Sequence, residues 1–348
     1  MSQGHTGLAI YNRSGFSLRE KKQMKTKLLL AALLCTASTA YAGCGSSFCS
    51  VNTHWDTQGL VNNDGLRIDL RYSYAKADTP RQGSKKIAKP LATDPALLGA
   101  EVENMRTINE TLNLDMDYAV SEKWNIALGL PLAMRDHAHQ IGDPALTIVE
   151  QRKFTRLGDI RVLGTYKLDS GDHHAGSGLR FGLKLPTGSI NLEMAPGTPM
   201  ERSLQPGSGS TDVILGAYLH RDSTDSPWGW FASAQLQAAL STRDNYRPGN
   251  DVALDAGAHY AISPTITGLL QLNAHFKERD SGLNALALSG GHSLNLSPGL
   301  SITVAPRTML YGFVQLPLYQ YANTDPADPA AGQLTAPWSL SLGISRTF

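Results

Sequence analysis

The segment that most constrains this chain is its last one, Trp338-Ser-Leu-Ser-Leu-Gly-Ile-Ser-Arg-Thr-Phe348, where apolar and small polar side chains alternate. Successive residues of a strand point to opposite sides. Trp338, Leu340, Leu342, Ile344 and Phe348 therefore share one face, and Ser339, Ser341, Gly343, Ser345 and Thr347 share the other. Only Arg346 interrupts the apolar row. A strand of this kind suits oil on one side and water on the other, as in a transmembrane barrel. The bland alternative is an amphipathic edge strand of a soluble sandwich.

The N-terminal region favours export. From Met24 the chain reads Lys25-Thr-Lys27, an apolar run Leu28 to Leu34, and small residues ending Ala40-Tyr41-Ala42. A basic start, a core too short to span a bilayer and an A-x-A-type site make a cleavable signal peptide. Residues 1–42 are thus read as an extended leader and signal peptide, with the start at Met24 and the mature chain beginning near Gly43. Tyr41 stands where a lipid-anchoring signal wants Leu, which argues against lipidation of Cys44. Beyond the leader, Asp, Asn, Arg or Gly interrupts every hydrophobic segment, so no spanning helix is expected. Lys and Arg total 31 against 30 Asp and Glu, a balance that offers no basic stripe to a nucleic acid.

Alternation of period two recurs along the mature chain. It predicts strands near 65–75, 107–118, 124–134, 157–168, 178–186, 210–220, 228–240, 251–262, 265–276, 287–305, 308–320 and 337–348. The fold class is then all-β, a transmembrane antiparallel up-and-down β-barrel of about 12 strands over residues 65–348. An even count puts both termini on the periplasmic side. The long, polar connections at 76–106, 136–153, 187–210 and 322–335 become extracellular loops. Pro298-Gly299 is the doubtful point. A bulge there keeps the strand count even, and a turn breaks it.

Leu66, Ile68, Leu70, Leu112, Leu114, Met116, Trp124, Ile126 and Leu128 fall on the expected lipid face. Tyr72, Tyr74, Tyr118, Trp124, Trp228 and Trp230 near strand ends suit an interfacial girdle, although simple core packing would also use them. The opposite faces carry Arg67, Asp69, Arg71, Asp115, Asp117, Arg161, Lys167, Arg180, Lys184, Asp255, His259 and His275. Each unpaired ion would cost several kcal/mol in a soluble core. A hydrated lumen removes that cost, so these residues are the candidate pore lining. The same charges could instead pair and fill the bore as struts.

No catalytic constellation emerges. His292-Ser293 lacks the hydroxyl two residues after the histidine that the outer-membrane phospholipase pattern requires, because Leu294 stands there. His137 with His139, and His173 with His174, are read as solvated loop and turn residues, so no metal or cofactor is expected from them. Cys44 and Cys49, just behind the cleavage site, are expected to form a disulfide in an oxidising compartment. The rival is a thiolate metal site with His54 as a further ligand. Their segment, 43–64, would hang in the periplasm or enter the lumen, with the cysteine ring near the periplasmic mouth.

Two resemblances add to this reading. A closing strand that ends on an aromatic residue resembles that of bacterial outer-membrane barrels, which implies Phe348 as the signal read by the assembly machinery. Leu157-Gly-Asp-Ile-Arg-Val-Leu-Gly-Thr-Tyr166, Gly178 to Gly188 with its Pro-Thr-Gly end, Gly207-Ser-Gly-Ser-Thr-Asp-Val213 and Val314-Gln-Leu-Pro-Leu318 resemble, in order, the outer-membrane transporters grouped under the meta-pathway of phenol degradation. That likeness spans about residues 65–348. It implies a non-enzymatic channel in the outer membrane of a Gram-negative bacterium, passing small, hydrophobic or aromatic cargo passively through a polar lumen and contacting outer-membrane lipid. A closed structural or loop-binding barrel, or one tied to metal handling through Cys44 and Cys49, is the alternative.

Overall fold

In the computed structural model, the described residues are 43–44, 51–60, 65–168, 174–283, 285–325 and 332–348. Twelve antiparallel strands close into a barrel. In chain order they are β1 (Leu66–Ala77), β2 (Glu101–Ala119), β3 (Trp124–Ile141), β4 (Arg161–Lys167), β5 (Ala175–Lys184) and β6 (Thr211–Asp222). They continue as β7 (Trp228–Ser241), β8 (Asp251–Ala261), β9 (Ile266–Lys277), β10 (Gly291–Ala305), β11 (Thr308–Ala322) and β12 (Ser339–Thr347). Each strand pairs with its sequence neighbours, and β12 returns to β1 through Arg67↔Thr347 to Ala75↔Ser339. Closure leaves no edge in the ring, the condition for burying backbone polar groups in lipid.

The distribution of side chains inverts that of a soluble protein. Leu66, Leu70, Trp124, Ile126, Leu179, Leu215, Leu254, Leu270, Leu310, Leu342 and Ile344 are exposed, while Arg67, Asp69, Ser73, Asp117, Asn125, Gln271 and Ser341 are buried. Aromatic pairs gather near both rims. Trp124 lies 4.9 Å from Tyr166 and Trp228 lies 4.6 Å from Tyr260 at the end that carries Phe348, and Tyr74 lies 5.7 Å from Trp338 at the other. Rings at both rims match the girdles that anchor barrels at the interface.

Pro298-Gly299 is neither turn nor bulge. The β9–β10 register runs through it without a shift, and pairing with β11 simply lapses at Ser297 and Pro298. The irregularities of this strand sit instead at Leu294/Asn295 and Thr303/Ala305.

The barrel strands run on into two of the expected loops. Residues 101–106 belong to β2 and 135–141 to β3, and a further strand, Ile148–Leu157, pairs with the upper half of β3. His137 and His139 are therefore strand residues, not solvated loop residues. The reason is that a strand leaving the lipid no longer needs an apolar outer face, so Asp136 and Gln140 erase the alternation without ending the ladder.

Candidate functional site

The interior is built from the polar faces of the strands and from the segment ahead of β1. A 3₁₀ turn, Trp55–Gln58, carries Trp55 into a cluster with Val51, Leu269, Tyr311 and Phe313, with Leu60 and Met309 against it. Trp55 has no exposed surface. Gly343 makes room for this cluster, because a Cβ there would stand 2.3 Å from the Tyr311 ring. Around it, Asn52 Nδ2 donates to Ser233 Oγ at 2.9 Å and to Asp255 Oδ2 at 3.1 Å. Gln271 Nε2 donates to the Asn52 carbonyl at 3.0 Å, and Arg71 donates to Thr53 Oγ1. Residues from β1, β7, β8 and β9 thus hold the segment inside the ring.

His54 is held well below its ordinary pKa of 6.5, by burial first and then by Arg180, Arg71, Arg67 and Arg161. Arginines from β1, β4 and β5 thus share one cavity wall with this imidazole. Beside it lies a cavity of about 500 Å³ lined by His54, Arg67, Arg71, Asp115, Asp117, Arg161, Arg180, Lys184 and Asp255, among others. Some of its charges are organised into pairs. Arg67 meets Asp117 at 3.1 Å, and Lys184 meets Asp212 at 2.7 Å and Asp159 at 3.4 Å. Among the described residues, Arg161 reaches Gln237 at 3.5 Å.

Four of the expected lining residues stand elsewhere. Asp69 accepts from Tyr311 at 2.7 Å and from Trp55 at 3.3 Å, so it lies beneath the apolar cluster and not on the cavity wall. His259 pairs with Asp222 at 3.1 Å. His275 pairs with Asp251 at 2.6 Å and borders a smaller pocket with Tyr321 and Trp338. Lys167 is half-buried, and its backbone N–H bonds Lys123 near the rim.

Sequence reasoning missed Asp159. It accepts from Gly188 N at 3.0 Å and from Ser208 N and Oγ at 2.8 and 2.7 Å. The Leu157-Gly-Asp, Pro-Thr-Gly and Gly-Ser-Gly-Ser stretches therefore meet at a single carboxylate. A Cβ on Gly188 would come within 2.6 Å of Gly207, which is why both positions are glycine. The joint occurrence of the three stretches was the available signal.

Gly43–Cys44 pairs in parallel with Gln333–Leu334, between β11 and β12 at the end opposite Phe348. Cys44 is thus not at the mouth beside the C-terminus, where the cysteine ring was expected. Cys49 and the Cys44–Cys49 pairing lie outside the described residues, as do the leader and His173.

The sequence matches no protein-family model and no curated protein. Among solved structures, the COG4313 outer membrane channel from Pseudomonas putida F1 superposes with a TM-score of 0.61 at 13% identity, covering 86% of this chain and 100% of that one. The NanC porin gives 0.43 at 10% identity, over 81% and 100% of the two chains. The P. putida toluene transporter TodX gives 0.42 at 8% identity, over 90% and 94%. The fold of this chain is that of an outer-membrane β-barrel.

Proposed function

We propose that this chain is a passive outer-membrane channel or transporter for small molecules, and that it performs no chemistry on its cargo. The observation that carries the reading is the inverted side-chain distribution: a lipid-facing apolar belt around a charged cavity of about 500 Å³. The shared fold with the COG4313 outer membrane channel supports it, and the four stretches resembling phenol-pathway transporters favour hydrophobic or aromatic cargo. Arg67, Arg71, Asp115, Asp117, Arg161, Arg180, Lys184 and Asp255 line the path, with residues 51–60 narrowing it. In this reading the signal peptide is cleaved, both barrel ends of the chain lie on the periplasmic side, and Phe348 engages the assembly machinery of a Gram-negative cell.

The second reading, a closed barrel that binds through its loops, is favoured by the paired charges and by the packing of Trp55. Planar-bilayer recording of the detergent-purified protein separates the two. A discrete conductance, with a reversal potential moved toward cation selectivity by Arg161→Glu plus Arg180→Glu, supports transport. Silent barrels that also leave phenol entry into liposomes unchanged favour the closed form. Recovery as a soluble periplasmic protein, without heat-modifiable gel migration, would remove both readings.

The proposal extends to a Cys44–Cys49 disulfide. Mass spectrometry of non-reduced, alkylated mature protein should find the pair joined. Free thiols would remove it, and free thiols with stoichiometric copper would favour the thiolate site.

A further inference from the structure

Outside the cavity lining, at the end of the barrel opposite Phe348, three buried side chains converge. His137 and His139 are successive inward-facing residues of β3, 1% and 2% exposed, and Glu103 of β2 is 4% exposed. The β2 register shifts between Val102 and Arg106, and Glu103 lies in that shifted stretch. His137 Nε2 lies 3.3 Å from Glu103 Oε1 and 3.1 Å from His139 Nδ1, and His139 Nδ1 lies 3.6 Å from that same oxygen.

Those separations are the edges of a coordination polyhedron. Ligands at about 2.0–2.1 Å from a tetrahedral zinc stand about 3.3 Å from one another. One outer nitrogen is engaged as ligating histidines require, and the other has a carboxylate within reach though not in hydrogen-bond geometry. His137 Nδ1 lies 2.9 Å from Thr107 Oγ1, and His139 Nε2 faces Glu150 Oε2 of the adjoining strand at 3.3 Å. With protons on those outer nitrogens, His137 Nε2, His139 Nδ1 and Glu103 Oε1 are three acceptor atoms within 3.6 Å of one another, a set that a cation can bridge in place of the direct His137–His139 contact.

Charge balance runs the same way. Glu201, in the 200–205 stretch, is pushed well above the ordinary carboxylate range by burial, then by the negative charges of Glu103 and Glu101. Glu101, Glu103 and Glu201 are therefore close enough to repel one another, a repulsion that a divalent cation would relieve. Among the described residues, this is the group of His, Cys, Asp and Glu whose ligand atoms all fall within 4.8 Å of one another.

We infer that Glu103, His137 and His139 form a binding site for a zinc-class divalent cation, oriented by Thr107 and Glu150, with a fourth position left for water. Bound there, the ion ties β2 to β3 and, through Glu150, to the Ile148–Leu157 strand. The inference is independent of the transport reading.

The test uses the full mature barrel in detergent, stripped with chelator and dialysed, then titrated calorimetrically with Zn²⁺. One saturable equivalent per chain is expected. His137→Ala and His139→Ala should weaken binding at least 100-fold, and Thr107→Val and Glu150→Gln by 10–100-fold, the range for lost outer partners. Heat-modifiable migration confirms that each variant is folded, and the two outer-partner variants decide the matter if the histidine variants fail to assemble. Co²⁺ in place of Zn²⁺ should give intense visible bands of a four-coordinate site. Wild-type protein without a saturable equivalent, folded variants that bind as tightly as wild type, or only weak six-coordinate cobalt bands would each overturn the site.

Discussion

Trp55 donates its indole N–H to Asp69 Oδ2 at 3.3 Å while Tyr311 donates to the other oxygen at 2.7 Å, so one carboxylate of β1 joins the N-terminal segment to β11. This is the anchor of residues 51–60 inside the ring. Truncating a tryptophan in such a packed site costs roughly 3–5 kcal/mol. Trp55→Ala should therefore release the segment while the strands stay closed. Single-channel conductance is expected to rise several-fold with heat-modifiable migration unchanged. Equal conductance in the two proteins would show that the segment does not limit passage.

Acid should loosen the same contact. The folded-state pKa of His54 lies below its ordinary value of 6.5, through burial and the nearby Arg180, Arg71, Arg67 and Arg161. A group with a depressed folded pKa binds its proton more readily when undocked. Docking is thus at full strength above about pH 6.5 and weakens as pH falls from there toward the folded pKa. Conductance should increase over that descending window, and His54→Gln should flatten the response. A pH profile unaltered by His54→Gln would assign the effect to other groups.

Asp159 should matter to stability more than to passage. Its loss removes charge-assisted bonds to Gly188 and Ser208 and one partner of Lys184, which keeps Asp212. Each such bond is worth about 1.5–3 kcal/mol. Asp159→Ala is expected to lower the urea midpoint of the micelle-bound barrel by an amount equivalent to about 4 kcal/mol or more. An unchanged midpoint would mean that the three glycine-bearing stretches hold together without it.

The C-terminal residue should govern assembly. Phe348 is 59% exposed, its N–H bonds the Leu66 carbonyl at 2.8 Å, and Arg346 lies 5.0 Å over its ring. Deleting Phe348 should reduce the fraction of folded protein in the membrane several-fold in pulse-chase assembly assays. Arg346→Ala should have a much smaller effect. Comparable losses in both would make the cation–ring contact, and not the terminal aromatic, the recognised element.

The barrel itself was legible because lipid outside and water inside impose period two on every strand between the rims. Leu66, Arg67, Ile68 and Asp69 suffice to orient β1. Legibility fails where one of the two solvents is missing. Beyond the rim, Arg135-Asp136-His137-Ala138-His139-Gln140 is polar on both faces, so it reads as a loop although the ladder continues. Its histidines stand two apart, the spacing that puts both on one side of a strand, but that spacing carried no weight without the strand. Residues 51–60 left no periodic trace either, since an irregular segment is held by individual partners such as Asn52 with Asp255. Asp69 and His275 carry the charge that suggests a pore lining, but the neighbour each one faces, Tyr311 and Asp251, depends on packing that period two does not encode.

Gly43–Cys44 lies beside Gln333–Leu334 at one rim, whereas Gly65 bonds Ala119 beside Phe348 at the other. Between these points, Asn52 and Trp55 are gripped by the inner wall. The chain therefore behaves as a thread passed through a hoop made from its own later portion. Either the seam between β1 and β12 zips shut around a thread already laid inside, or the loose end is drawn in through a finished mouth. In the first order of events, anything bulky fused ahead of Gly43 would have to be enclosed with the thread or left hanging from the far rim, so the kinetics of insertion would respond to cargo attached many residues before the first strand.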